Sequence, residues 1–80
     1  MKRYYFDLRD QDGLAVDDEG LELHSMESVQ KEASRTMTDA IREMSRWPLK
    51  AGEISIEVRD DKGQVMFIRF AIEIEMGRKN

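Results

Sequence analysis

The spacing of apolar residues changes twice along this chain, and those two changes leave few folds open. Apolar residues alternate singly near the start, recur at steps of three and four in the middle, and alternate again toward the end. A period of two is a strand with one buried face. A period near 3.6 is a helix with one buried stripe.

The first stretch places Tyr4, Phe6 and Leu8 on one face and Tyr5, Asp7 and Arg9 on the other, which predicts a half-buried strand. A turn at Asp10-Gln11-Asp12-Gly13 leads into a short strand from Leu14 to Val16. Asp17-Asp18-Glu19-Gly20 breaks that strand, and Leu21-Glu22-Leu23 resumes in the opposite parity, as after a bulge.

From Ser25 the period lengthens. Met26, Val29, Ala33, Met37, Ala40, Ile41 and Met44 form one stripe on a helix of about 21 residues, roughly 32 Å long. Ser25 is the predicted N-cap and Glu27 suits the first turn. Trp47-Pro48 is the predicted stop, because the residue before proline avoids helical backbone angles.

Alternation then returns. Ile54, Ile56 and Val58 share one face, and a turn at Asp60-Asp61-Lys62-Gly63 leads to a long strand. There Met66, Ile68, Phe70, Ile72, Ile74 and Met76 share one face, and Val65, Phe67, Arg69, Ala71, Glu73 and Glu75 share the other. A three-residue loop with glycine at its last position sets Val58 opposite Met66, Ile56 opposite Ile68 and Ile54 opposite Phe70, so every inward residue meets an inward residue. The same logic at the first turn sets Leu8 opposite Val16 and Asp7 opposite Asp17. Facing carboxylates disfavour pairing, so the second strand is expected to fray near Asp17. The last strand outruns the third, and the first strand is its natural second neighbour. The expectation is a two-layer α+β fold, β-β-α-β-β. It is a four-stranded, mainly antiparallel sheet with the first and last strands central and one helix packed on one face.

Size and charge bound what such a fold can do. Eighty residues allow one domain, taken as 1–80, that buries roughly 63% of its unfolded surface. That excludes a multidomain enzyme and a deep enclosed active site. Charged residues make up 38% of the chain and the net charge is −4, so nothing draws the whole molecule to nucleic acid or anionic lipid. No cysteine is present, which removes disulfides, thiolate metal sites and cysteine nucleophiles. Met1-Lys2-Arg3 is followed by only three apolar residues, too few for a signal peptide, and a cytoplasmic location is expected.

Three stretches carry a family resemblance. They are Arg3-Tyr4-Tyr5-Phe6-Asp7-Leu8-Arg9-Asp10 with Asp12-Gly13, then Asp18-Glu19-Gly20-Leu21-Glu22-Leu23, then Ile56-Glu57-Val58-Arg59-Asp60 with Gly63. Together they resemble a family of very small proteins common in rhizobia and related alphaproteobacteria, the domain of unknown function 6894. The one departure is Ser25, where an acidic cap is expected. The resemblance implies a fold and a lineage and carries over no catalytic residue. A looser likeness, in the order of elements alone, is to HicB-type antitoxin domains.

Candidate chemistry is sparse. Asp10, Asp12, Gly13 and Glu19 fall at four positions of a calcium-loop template, but Leu8 stands where the first acid is required. Asp17, Asp18 and Glu19 beside His24 are the other acidic group, and a lone histidine at a helix start is ordinarily a surface residue. His24 and Ser25 are adjacent, so their side chains diverge, and no glycine-rich loop opens a helix to hold phosphate. No catalytic, cofactor or metal residue is assigned, and the chain is expected not to be an enzyme.

The face away from the helix offers more. It carries Tyr5, Arg59, Phe67 and Arg69, aromatics interleaved with arginines as on single-strand RNA platforms. Asp7, Glu57, Glu73 and Glu75 share that face and repel phosphate. Val65, Phe67 and Ala71 form an apolar spot there, and the last strand has an end without a partner. The candidate interaction surface is therefore Tyr5, Arg59, Val65, Phe67, Arg69 and Ala71. Its expected use is protein–protein contact, as a homodimer or with a protein partner. A HicB-like partner-binding role and weak single-stranded nucleic-acid binding are the alternatives. No cofactor and no membrane contact are expected.

Overall fold

A computed structural model describes residues 1–78. The elements run β1 (Lys2–Asp10), β2 (Gly13–Ala15), β3 (Leu21–Leu23), α1 (Met26–Met44), β4 (Gly52–Asp60) and β5 (Gly63–Ile72). The fold is α+β, with one helix on one face of an open antiparallel sheet. The sheet order is β2-β1-β4-β5, and β3 pairs with β1 as well.

That order corrects one expectation. The central strands are β1 and β4, and the last strand β5 is an edge. The pairing explains why. Phe6 opposite Val58 and Leu8 opposite Ile56 join β1 to β4 inward to inward. β4 thereby has both sides occupied and becomes the most buried strand, with Ile54, Ile56 and Val58 at 2% exposure or less. β1 has no free edge left for β5, because β2 and β3 take its other side.

The second hairpin has the predicted register, with Val58 opposite Met66, Ile56 opposite Ile68 and Ile54 opposite Phe70. A shift between Val58 and Arg59 supplies the extra residue. Gly63, with φ +125°, occupies the turn position that a side chain disfavours. The first hairpin departs from expectation by one residue: Leu8 pairs with Ala15, not Val16. All three residues of β2 are exposed, so no buried face enforces the parity that the bulge restores in the second hairpin.

Ser25 caps α1 as expected, its hydroxyl accepting from the Ser28 backbone N–H at 3.1 Å. The helix stops at Met44 with Ser45 as its C-cap, three residues before Trp47. Val29, Ala33 and Met37 are buried under it, and Ala40, Ile41 and Met44 pack at the margin. The core is these residues with Tyr4, Ile54, Ile56 and Val58. Full burial of each large aliphatic side chain contributes about 2–3 kcal/mol.

The helix lies over β4 and β3 and does not reach across β5. Met66, Ile68, Phe70 and Ile72, on the helix side of β5, are therefore only half-buried. The molecule is long, 58 × 23 × 18 Å, with a radius of gyration of 15.1 Å. A compact chain of this length has about 12 Å. It exposes 6298 Å², against about 5,000 Å² for a folded chain of this mass.

Candidate functional site

The six residues of the expected interaction surface separate into two groups on the sheet face opposite α1. Tyr5 and Arg59 lie near β1 and are half-buried; Val65, Phe67, Arg69 and Ala71 lie on β5 and are exposed.

The first group belongs to a closed cluster. Tyr5 and Arg59 are cross-strand neighbours, and the guanidinium sits 4.5 Å from the ring centroid. Asp7, 8% exposed, faces Glu57 across the strands. Arg59 neutralises it, with Nε donating to Asp7 Oδ2 at 2.8 Å. The segment between β2 and β3 folds against this pair. The Asp17 backbone N–H donates to Asp7 Oδ1 at 2.9 Å, and Arg59 Nη2 donates to the Asp17 carbonyl at 3.0 Å.

The Asp17 side chain then completes the edge of β1. Between the stretches taken by β3 and β2, Phe6 directs its N–H outward, and Asp17 Oδ2 accepts it at 3.1 Å. Asp17 Oδ1 accepts from the backbone N–H groups of Glu19 and Gly20 at 3.1 and 3.0 Å. The carboxylate thus mimics the missing piece of strand. Gly20, at φ +73°, makes the return bend, and a Cβ there would lie 2.8 Å from the Tyr5 ring and 3.0 Å from the Tyr4 carbonyl.

Both acids titrate below the ordinary carboxylate range. Burial alone would push Asp7 up, but the Arg59 hydrogen bond, the Asp17 N–H and the Arg59 charge outweigh it. Burial likewise opposes ionisation of Asp17, and the N–H groups of Gly20, Phe6 and Glu19 with the Arg59 charge prevail. The partners raise the Arg59 pKa in turn, chiefly through the hydrogen bond to Asp7. As expected, the second strand ends before Asp17, at Ala15; Asp7 and Asp17 are not ladder partners, and Arg59 with the backbone N–H groups offsets the charge between them.

The second group is open. Val65 is 37% exposed and Phe67 46%. Arg69 stacks over Phe67, 5.4 Å from its centroid, and its Nε pairs with Glu53 at 2.9 Å. The outer edge of β5 has no neighbour strand among the described residues. Beyond Ile72 the alternation continues through Ile74, 40% exposed, and Met76, 84% exposed, with no strand beside them among the described residues. The expected pairing of Ile72, Ile74 and Met76 with β1 is absent, since β1 is separated from β5 by β4.

A cleft of about 400 Å³ lies between the end of α1 and the first hairpin turn. Leu8, Met44, Trp47 and Ile54 line it among mixed charges, and Trp47 is 91% exposed on its rim. Trp47, expected only to end the helix, continues the spacing of the apolar stripe three residues after Met44, and it is exposed because α1 stops at Met44 before reaching it. Asp10 accepts the Asp12 backbone N–H at 2.8 Å, as an ordinary turn aspartate does. Among the described residues no group of three or more His, Cys, Asp or Glu side chains could hold a metal ion. No helix there is long and apolar enough to cross a membrane.

Comparison with protein families gives one match: residues 3–71 fit the family described as Domain of unknown function (DUF6894). No curated protein and no solved structure matches.

Proposed function

We propose, for a chain that belongs to the DUF6894 family, a role in protein–protein contact along β5, with no chemistry of its own. The observation that carries this reading is the outer edge of β5, a ten-residue strand with no neighbour there among the described residues, whose one register shift lies near its start and leaves Met66 to Ile72 evenly paired with β4 and half-covered on their apolar face. Natural sheets ordinarily shorten, bend or charge such an edge, because it invites another strand.

The site is Val65, Phe67, Arg69 and Ala71 with the strand edge, and a second copy of the chain is the proposed occupant in the cytoplasm. Nucleic-acid binding is less well supported. Each arginine of the aromatic pairs already holds a carboxylate, Arg59 with Asp7 and Arg69 with Glu53, so neither is a free cation for phosphate. A HicB-like role rests on the order of elements alone.

Sedimentation velocity across micromolar to millimolar concentrations tests the proposal. The wild type is expected to associate, and Phe67→Glu to shift it to monomer with an unchanged circular dichroism spectrum. A wild type monomeric throughout overturns it.

A further inference from the structure

The contact proposed above gains a register from the sequence of the edge itself. We infer that two copies join β5 to β5 antiparallel about a two-fold axis through Ala71, with residues 73–76 of each copy extending the shared ladder. This rests on the β5 contact reading and adds its geometry.

A two-fold antiparallel pair keeps the apolar face continuous only if a residue, not a peptide bond, lies on the axis. The half-covered residues Met66, Ile68, Phe70 and Ile72 and the exposed Ile74 and Met76 all belong to one face. With Arg69 on the axis, two guanidinium groups face each other. With Phe70 there, Met76 faces Gln64, and with Ile72 there, Met66 faces Arg78. Ala71 is the axial residue that matches all six: Met66 faces the partner subunit's Met76, Ile68 faces the partner subunit's Ile74, and Phe70 faces the partner subunit's Ile72.

Charge selects the same register. On the other face it sets Arg69 opposite the partner subunit's Glu73, twice by symmetry. Glu53 already approaches Arg69 from β4 at 2.9 Å, so the guanidinium would lie between two carboxylates. Opposite charges directly across a ladder are favourable, and this pairing is unavailable within one chain. The small side chain of Ala71 suits the axis, where two identical residues meet. The register also explains Glu73-Ile74-Glu75-Met76, whose strand-like alternation has no strand beside it among the described residues.

The two-fold would run perpendicular to the sheet and place both helices on the same side. The apolar residues of β5 that one helix leaves half-covered would then adjoin their counterparts. One continuous sheet would span both copies, its outer ends formed by the closed β1 sides.

The chain has no cysteine, so single cysteines report the register cleanly. Under mild oxidation Ala71→Cys is expected to form a disulfide dimer, since paired Cα atoms on an antiparallel ladder lie about 4.5–5.5 Å apart. Phe67→Cys is the control: in this register its two copies are about 27 Å apart and should not crosslink. Arg69→Glu should weaken association about tenfold, and Arg69→Glu with Glu73→Arg should restore it. If the wild type dimerises but Phe67→Cys crosslinks and Ala71→Cys does not, or the charge exchange fails to rescue, the register is overturned while the contact reading stands. If the wild type never dimerises, both fall.

Discussion

The two sides of this sheet handle the same physical problem in opposite ways. On the β1 side, two strands of three residues each cover the ends, and the Asp17 carboxylate takes the Phe6 N–H between them. Every device there closes the edge: short strands, a sharp bend at Gly20 and a charge turned inward. On the β5 side, the stretch from Met66 to Ile72 keeps an even register with β4 and has no covering segment among the described residues. This difference between a closed edge and one uncovered among the described residues is what supports the proposed contact along β5.

The β1 side is most vulnerable at the Asp7–Arg59 pair. Asp7→Ala leaves a partly covered guanidinium without its carboxylate and should cost about 3 kcal/mol, at the low end for a broken buried pair because Arg59 keeps some solvent. Urea denaturation followed by circular dichroism measures it. A loss under 1 kcal/mol would show that the cluster is ornamental to stability.

Asp17→Ala removes the acceptor of three backbone N–H groups and should cost about 2 kcal/mol. Its sharper signature is local. Amide exchange at Phe6 should accelerate while exchange at Ile56 and Val58 changes only as global stability does.

Acid provides a milder perturbation of the same side. Asp7 and Asp17 hold protons less tightly folded than unfolded. Their contribution is therefore complete above the unfolded value of about 4 and is lost as pH falls through their lowered folded values. Thermal stability should drop as the pH falls below about 4, and the drop should shrink in the Asp7→Asn, Asp17→Asn double variant. The smallest stability change is expected on the β5 side. Phe67→Glu removes a ring 46% exposed that stacks with Arg69 and sets a carboxylate opposite Glu57, so it should lower the unfolding free energy of the monomer by about 1 kcal/mol. Its main effect belongs to association.

Much of this architecture was readable from spacing. The stripe Val29, Ala33, Met37 names the buried line of α1, and Ser25 names its cap. The register of the second hairpin followed because Ile54, Ile56 and Val58 must meet Met66, Ile68 and Phe70, and a slip of one residue would turn the core to water. Where no face is buried, spacing does not fix the register: β2 is exposed along its length and pairs one residue away from the expected position. The interaction surface was legible only as a list. Tyr5 and Arg59 share a sheet face with Phe67 and Arg69 by parity, yet the segment from Val16 to Gly20 encloses the first two and leaves the others bare. Nothing in local spacing reports where a loop will fold.

By itself the chain determined its elements, its helix cap, its glycine turns and which residues face the core. These depend on backbone preference and on burial pattern, both of which act between near neighbours. The order of strands was decided only in three dimensions, because β4 and β5 offer β1 equally alternating apolar faces and hydrogen bonding alone does not rank them. The choice of β4 as the centre buried Ile56 and Val58 completely, made β5 an edge, and turned Asp17 from an expected strand-breaker into the piece that completes the opposite side.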